Sequence, residues 1–208
     1  MKKSGIVKIS VVSVLFLCSA CADKDKAILE QENSPYTLFE KGNEYIGKRK
    51  YAEANRYFEQ IERDHPASDL APIAQIRHAF SLYEIGKFDD SISVINDFIH
   101  QYPAHNNADY MYYLKSLCYY DQIVDVGRDQ KLTESAIAAI DELLSLFPHS
   151  IYVKDVKLKK EFAVNSLAGK EMEVANYYVQ VSDLIAAANR YKNVVNNYET
   201  SIFVAEAL

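Results

Sequence analysis

The sequence predicts an all-α protein, a solenoid of stacked helical pairs, and three observations carry that prediction. Gly and Pro are few, 6 and 5 in 208 residues, and alternating β-branched runs are nearly absent beyond residue 30. Landmark residues recur at a fixed interval: Gly42 and Ala79 stand 37 residues apart, and so do Pro66 and Pro103. Within each segment the apolar side chains return every three or four positions, the period of one helix face.

From the N-terminus, Lys2, Lys3 and Lys8 lead into the apolar run Ile9–Leu17, which ends at Ser19-Ala20-Cys21. A basic start, an apolar middle and a small-residue end have the layout of a secretory signal. The run falls short of the about 20 apolar residues that span a bilayer. A cysteine directly after two small residues looks like a bacterial lipoprotein box, where the sulfur and the newly exposed amino group are acylated. Residues 1–20 are therefore expected to be a lipoprotein signal peptide and Cys21 the lipid anchor. Cys18 follows the bulky Leu17 and is the poorer candidate. Residues 21–34 are polar and unpatterned, which suits a lipidated cysteine on a flexible tether reaching roughly 20 Å. The solenoid domain is expected over 35–208.

Ser34-Pro35 opens the first helix, with Ser as N-cap and Pro at the first helical position, where a missing N–H costs nothing. Gly42, Tyr45, Tyr51, Ala54, Phe58 and Pro66 then follow the spacing of a tetratricopeptide repeat. Ala79, Phe88 and Pro103 repeat it, with the residues in excess of the usual period placed in the link around Ser68-Asp69-Leu70. In the third unit Ser116 is the small residue, and Ala136 and Ile140 precede Pro148. Pro103 and Pro148 are 45 apart, so about eight residues are inserted, as an irregular loop over Ile123–Gln130. Ile137, Ile140, Leu144 and Phe147 form the expected apolar stripe of the helix after it. In the fourth unit Lys154–Gln180 reads as one long helix. A break at Gly169 is the alternative, because Gly is about 1 kcal/mol worse than Ala inside a helix. Its partner helix runs from Asp183 to about Tyr198, packing Ala187, Tyr191 and Val194. Glu199 replaces the proline and Ser201–Leu208 starts another helix, giving about four repeats and a truncated fifth.

Removing residues 1–20 leaves 20 basic against 29 acidic side chains, a formal charge of -9. Nucleic-acid binding needs clustered Lys and Arg and is excluded on that balance. Cys118, in Leu117-Cys-Tyr-Tyr120, reads as a buried small hydrophobe with no partner for an internal disulfide. No phosphate loop, metal-ligand spacing or nucleophile motif is present, and the five histidines are scattered. Neither a metal, a cofactor nor catalysis is expected. The 16 tyrosines are the chemistry-bearing set. On the repeat frame the groove-facing positions of the first helices include Tyr36, Phe39 and Asn43, then Arg77, Phe80 and Tyr83, then Tyr113. Tyr offers a flat apolar body with a polar tip, suited to extended peptide. Aromatics at this spacing also make ordinary solenoid core, and both readings stand.

Three stretches point further. They are Asp109-Tyr-Met-Tyr-Tyr-Leu-Lys-Ser-Leu117, the loop Val124-Asp-Val-Gly-Arg-Asp-Gln130, and Glu171-Met-Glu-Val-Ala-Asn-Tyr-Tyr178 followed by Ala186-Ala-Ala-Asn-Arg-Tyr191. With the lipoprotein box and the repeats, they resemble the BamD (ComL-type) family of outer-membrane protein assembly lipoproteins. The resemblance implies a non-enzymatic scaffold and receptor on the periplasmic face of the outer membrane, held by its lipid anchor. It implies that the C-terminal repeats dock a BamA-type barrel protein, with Arg190 as the docking arginine; the alternative is that Arg190 pairs with an acidic residue of its own solenoid. The N-terminal groove would receive unfolded outer-membrane protein clients, and other assembly lipoproteins would be further partners. The family's fifth helical pair is not completed here. The competing reading is another periplasmic repeat lipoprotein, an adaptor in envelope or cell-division assembly.

Overall fold

A computed structural model describes Gln31, residues 33–123 and residues 130–208 of the chain. The signal segment, Cys21, most of the tether and the inserted loop over 124–129 lie outside the described residues. The described helices are α1 (Pro35–Gly47), α2 (Tyr51–Asp64), α3 (Ala71–Glu84), α4 (Phe88–Gln101), α5 (Ala108–Tyr120), α6 (Gln130–Leu146), α7 (Val153–Gln180), α8 (Leu184–Asn197) and α9 (Val204–Ala207). They are the helical pairs expected of a tetratricopeptide-like repeat protein. Two compact units divide inside α3, between Ala74 and Gln75.

In the first unit Ser34 caps α1, its Oγ accepting from the Thr37 amide at 3.2 Å, and Pro35 sits at the first helical position. Leu38, Ala54, Phe58, Ile61 and Ala74 form the core. Gly42 is required by this packing. A Cβ there would lie 2.6 Å from two carbons of the fully buried Phe58 ring.

Among the described residues of the second unit, three clusters form its core. Ala79, Ile95, Phe98, Met111, Leu114 and Cys118 fill the seam of α3, α4 and α5. Ile140, Leu143 and Val156 join α6 to α7, and Ala168, Met172 and Val194 join α7 to α8. α7 is continuous over 28 residues, so Gly169 does not break it. The Phe203 ring lies against that glycine, 3.2 Å from where a Cβ would stand.

The second helix of every pair presents one motif. Ala54, Phe58 and Ile61 recur as Ser91, Ile95 and Phe98, then Ala136, Ile140 and Leu143, and finally Ala187, Tyr191 and Val194. Tyr191 is half-buried and the other eleven are buried. This corrects the stripe expected on α6. Ile137 and Leu144 only flank it, and Thr133, Ala136, Ile140 and Leu143 carry it. The helix expected over Ser201–Leu208 is also shorter, because Ser201 belongs to a link and α9 covers only Val204–Ala207.

Both kinds of connection are repeated down to single hydrogen bonds. Where a pair closes tightly, the residue two before its second helix adopts positive φ: Arg49 at 56°, Gly86 at 72° and Ser182 at 63°. The following amide then reaches back five residues. Lys50 donates to Tyr45, Lys87 to Leu82 and Asp183 to Tyr178, each at 2.9 Å, satisfying a carbonyl the helix end leaves open. Between pairs the amides of His65, Tyr102, Phe147 and Tyr198 bond Ile61, Phe98, Leu143 and Val194. A side chain three residues further on then accepts from the amide two positions ahead. Ser68 does so at 3.2 Å, His105 through Nδ1 at 3.1 Å, Ser150 at 3.3 Å and Ser201 at 3.2 Å.

Candidate functional site: the fourth helical pair and the tyrosine positions

Arg190 is placed by its helix. Asp183 caps α8, its Oδ1 accepting from the Ala186 amide at 3.0 Å. Ala187 and Val194 bury one face, which turns Arg190 outward, with its side chain 44% exposed. Its Nη1 donates to both oxygens of Glu171 on α7, at 3.1 and 3.3 Å. Glu171 is the unusual member, a carboxylate only 7% exposed. The ion pair holds the Arg190 guanidinium above its already high range, through the hydrogen bond first and the charge of Glu171 second. Nη1 alone serves Glu171 and Tyr178 is a further hydrogen-bond partner of the guanidinium, so only part of the planar fork is left for another carboxylate. Beside it the Tyr191 hydroxyl donates to Asn176 at 2.6 Å, a second clasp between α7 and α8.

The tyrosine positions are less uniform than the repeat frame suggests. Tyr36 is 68% exposed. Phe39 packs edge-on against Phe58, ring centroids 5.9 Å apart, and Asn43 is half-buried. In the second unit Arg77 is exposed. Phe80 lines the core of α3, α4 and α5. Tyr83 donates its hydroxyl to Asp121 and leans on Phe88. Tyr113 donates to Asp155 at 3.0 Å and stacks on Tyr152, 4.3 Å between centroids and 10° between planes. Burial, and then these carboxylates, push the hydroxyls of Tyr83 and Tyr113 well above the usual phenol range. Four of the seven positions therefore also serve packing, while Tyr36 and Arg77 are open to solvent.

Sequence reasoning missed Glu171 as the partner of Arg190 and Tyr152 as the partner of Tyr113. Glu171 had a signal: it stands four residues before Ala175, the buried small residue that matches Gly42 and Ala79, each twelve before the first residue of its motif. Acid at that inward position demands a cation. Among the described residues no cluster of His, Cys, Asp and Glu could hold a metal ion. Among the same residues no helix is long and apolar enough to cross a membrane.

The class these features define is a helical-repeat protein that works by docking partners. Residues 31–208 match the YfiO family model, described as "Outer membrane lipoprotein". The chain belongs to that family, whose curated relatives are outer membrane protein assembly factors BamD. The relative from Caulobacter vibrioides is 33% identical over 204 residues, 97% of this chain and 67% of its own length. The one from Rickettsia prowazekii is 34% identical over 172 residues, 83% of this chain and 68% of its own. Among solved structures, MamA from Desulfovibrio magneticus RS-1 (41-end) is similar at 16% identity and a TM-score of 0.46, covering 95% of this chain and 98% of that one. Family membership makes the protein an outer-membrane lipoprotein.

Proposed function

We propose that the protein is the non-enzymatic scaffold lipoprotein of an outer-membrane barrel-assembly machinery, docking a BamA-type barrel protein through its fourth helical pair. The observation that carries this reading is the Glu171–Arg190 arrangement. A buried carboxylate holds a half-exposed guanidinium outward, as a contact for an acidic group on the partner. Cys21 is the lipid anchor, residues 1–20 the cleaved signal, 21–34 the tether and 35–208 the working domain. Unfolded outer-membrane protein clients are received at two sets of first-helix positions, each proposed by itself: Tyr36, Phe39 and Asn43 in the first unit, and Arg77, Phe80, Tyr83 and Tyr113 in the second.

Co-purification from envelopes tests the docking. Arg190→Glu is expected to lose the BamA-type protein. Because that variant sets two carboxylates together, a second one is needed. Glu171→Met with Arg190→Met replaces the pair by apolar groups and leaves the α7–α8 packing intact. Retention of the partner by that folded double variant removes Arg190 from the interface. Crosslinking from Tyr36 and from Arg77 to a peptide copying the last strand of an outer-membrane protein tests the client sites. Labelling confined to the second helices of the pairs is the outcome against them.

A further inference from the structure

A cleft of about 550 Å³ lies in the second unit where α6, α7 and the end of α8 meet. Its size is that of a site for a side chain and its flanking backbone. The floor is apolar, with Ile137 from α6 and Val164 and Leu167 from α7. The rim is acidic. Glu134 and Asp141 rise from α6 and Glu199 from the link after α8, against one cation, Lys160. Lys160 is committed to Asp141, Nζ to Oδ1 at 2.5 Å. Among the described residues the structure gives Glu134 and Glu199 no cationic partner. The Tyr198 hydroxyl on the α8 side is held above its usual range, by burial first and then by the charges of Glu171 and Glu134, so the field of Glu134 crosses the cleft.

We propose that this cleft docks a partner segment presenting an aliphatic side chain flanked by lysine or arginine. The aliphatic group covers the apolar floor and the flanking cations meet Glu134 and Glu199. The surface is separate from the Arg190 contact: it selects for positive charge, whereas Arg190 selects for negative. It holds whether or not Arg190 docks a partner.

The test uses the purified full chain and a fluorescein-labelled peptide with the core Lys-Leu-Leu-Lys, against a control with Glu at both Lys positions. Anisotropy reads affinity and hydrogen exchange maps the site. The Lys peptide is expected to bind, to weaken as salt rises and to protect α6 and the end of α8 from exchange. Glu134→Lys with Glu199→Lys is expected to weaken binding about tenfold or more. Both side chains are exposed, so folding is retained. Ala138→Trp fills the cleft mouth without changing charge and is expected to weaken binding to a similar degree. Equal affinity for the Glu control overturns the proposal. So does protection elsewhere on the molecule, or binding that charge reversal abolishes but Ala138→Trp leaves intact, which is unspecific attraction to an acidic surface.

Discussion

A carboxylate as deep as Glu171 is tolerated only with a cation against it, since an unpaired buried charge is costly. Arg190→Ala is therefore expected to destabilise the folded chain by about 1–3 kcal/mol in urea unfolding, although Arg190 itself is half-exposed. Glu171→Met with Arg190→Met should recover most of that loss, because well-packed apolar groups commonly match a buried pair. If the single and double variants unfold alike, the pair is structurally idle. Cys118 gives a second prediction at this scale. It is fully buried and close to Ser91, whose Oγ lies 3.4 Å from its sulfur. Burial above all pushes its thiol up to about 11. The thiolate is the reactive species, so the native protein should resist a thiol reagent at pH 8 and react fully once unfolded. Rapid native labelling would contradict the packing described for α3, α4 and α5.

The three tight turns use one backbone geometry with three different residues, and only Gly86 adopts positive φ without strain. Arg49→Gly and Ser182→Gly are each expected to be neutral or to stabilise by up to about 1 kcal/mol, the relief at φ offset by the entropy of a freer unfolded chain. Gly86→Ala should cost about 1 kcal/mol or more. Gly42→Ala is different in kind, because the obstacle is the Phe58 ring. It should destabilise by about 1–3 kcal/mol, and Phe58→Leu in the same chain should return part of the loss. The helical pairs themselves were legible in the sequence because Gly42, Ala79 and the repeat prolines mark close packing and helix ends, which are local demands. The N-cap at Ser34-Pro35 was legible for the same reason. The link signature at Ser68, His105, Ser150 and Ser201 was hidden by chemistry, since an imidazole nitrogen there does what a hydroxyl does elsewhere. The α6 stripe was misplaced because Ile137 and Leu144 are as apolar as the buried positions, and only register against α7 separates them. At the candidate site Arg190 was named through the family resemblance, while its pairing with Glu171 arises between helices and was signalled only by an acid at an inward repeat position. The tyrosines could not be divided into packing and exposed groups for the same reason.

At the scale of the molecule, raised acid groups link stability to pH. Burial, the largest cause, lifts Tyr110 to about 12 and Cys118 to about 11, and moves Tyr83, Tyr113 and Tyr198 in the same direction. The unfolded chain deprotonates first, near 9 for Cys and 10 for Tyr, so the contribution is complete below pH 9 and is lost as pH rises towards 12. Helical circular dichroism in fixed urea is expected to collapse over that range together with tyrosinate absorbance. A profile flat to pH 12 would contradict it. The anchor is tested on the whole protein as well. Acyl chains contribute about 0.8 kcal/mol per buried CH₂, so attachment should withstand high salt. Cys21→Ser should release the protein from the membrane or leave residues 1–20 uncleaved, and wild-type fractionation with an unchanged mature mass would remove Cys21 as the anchor. The unbroken 28-residue α7 has one last consequence. At about 1.5 Å per residue it is a strut about 40 Å long. Tyr152, at its N-terminal cap, and Asp155, in its first turn, grip Tyr113, and Glu171, towards its other end, grips Arg190. Both grips sit on one continuous helix. A partner docked at Arg190, as proposed, would therefore press on the same helix that carries the Tyr113–Tyr152 stack.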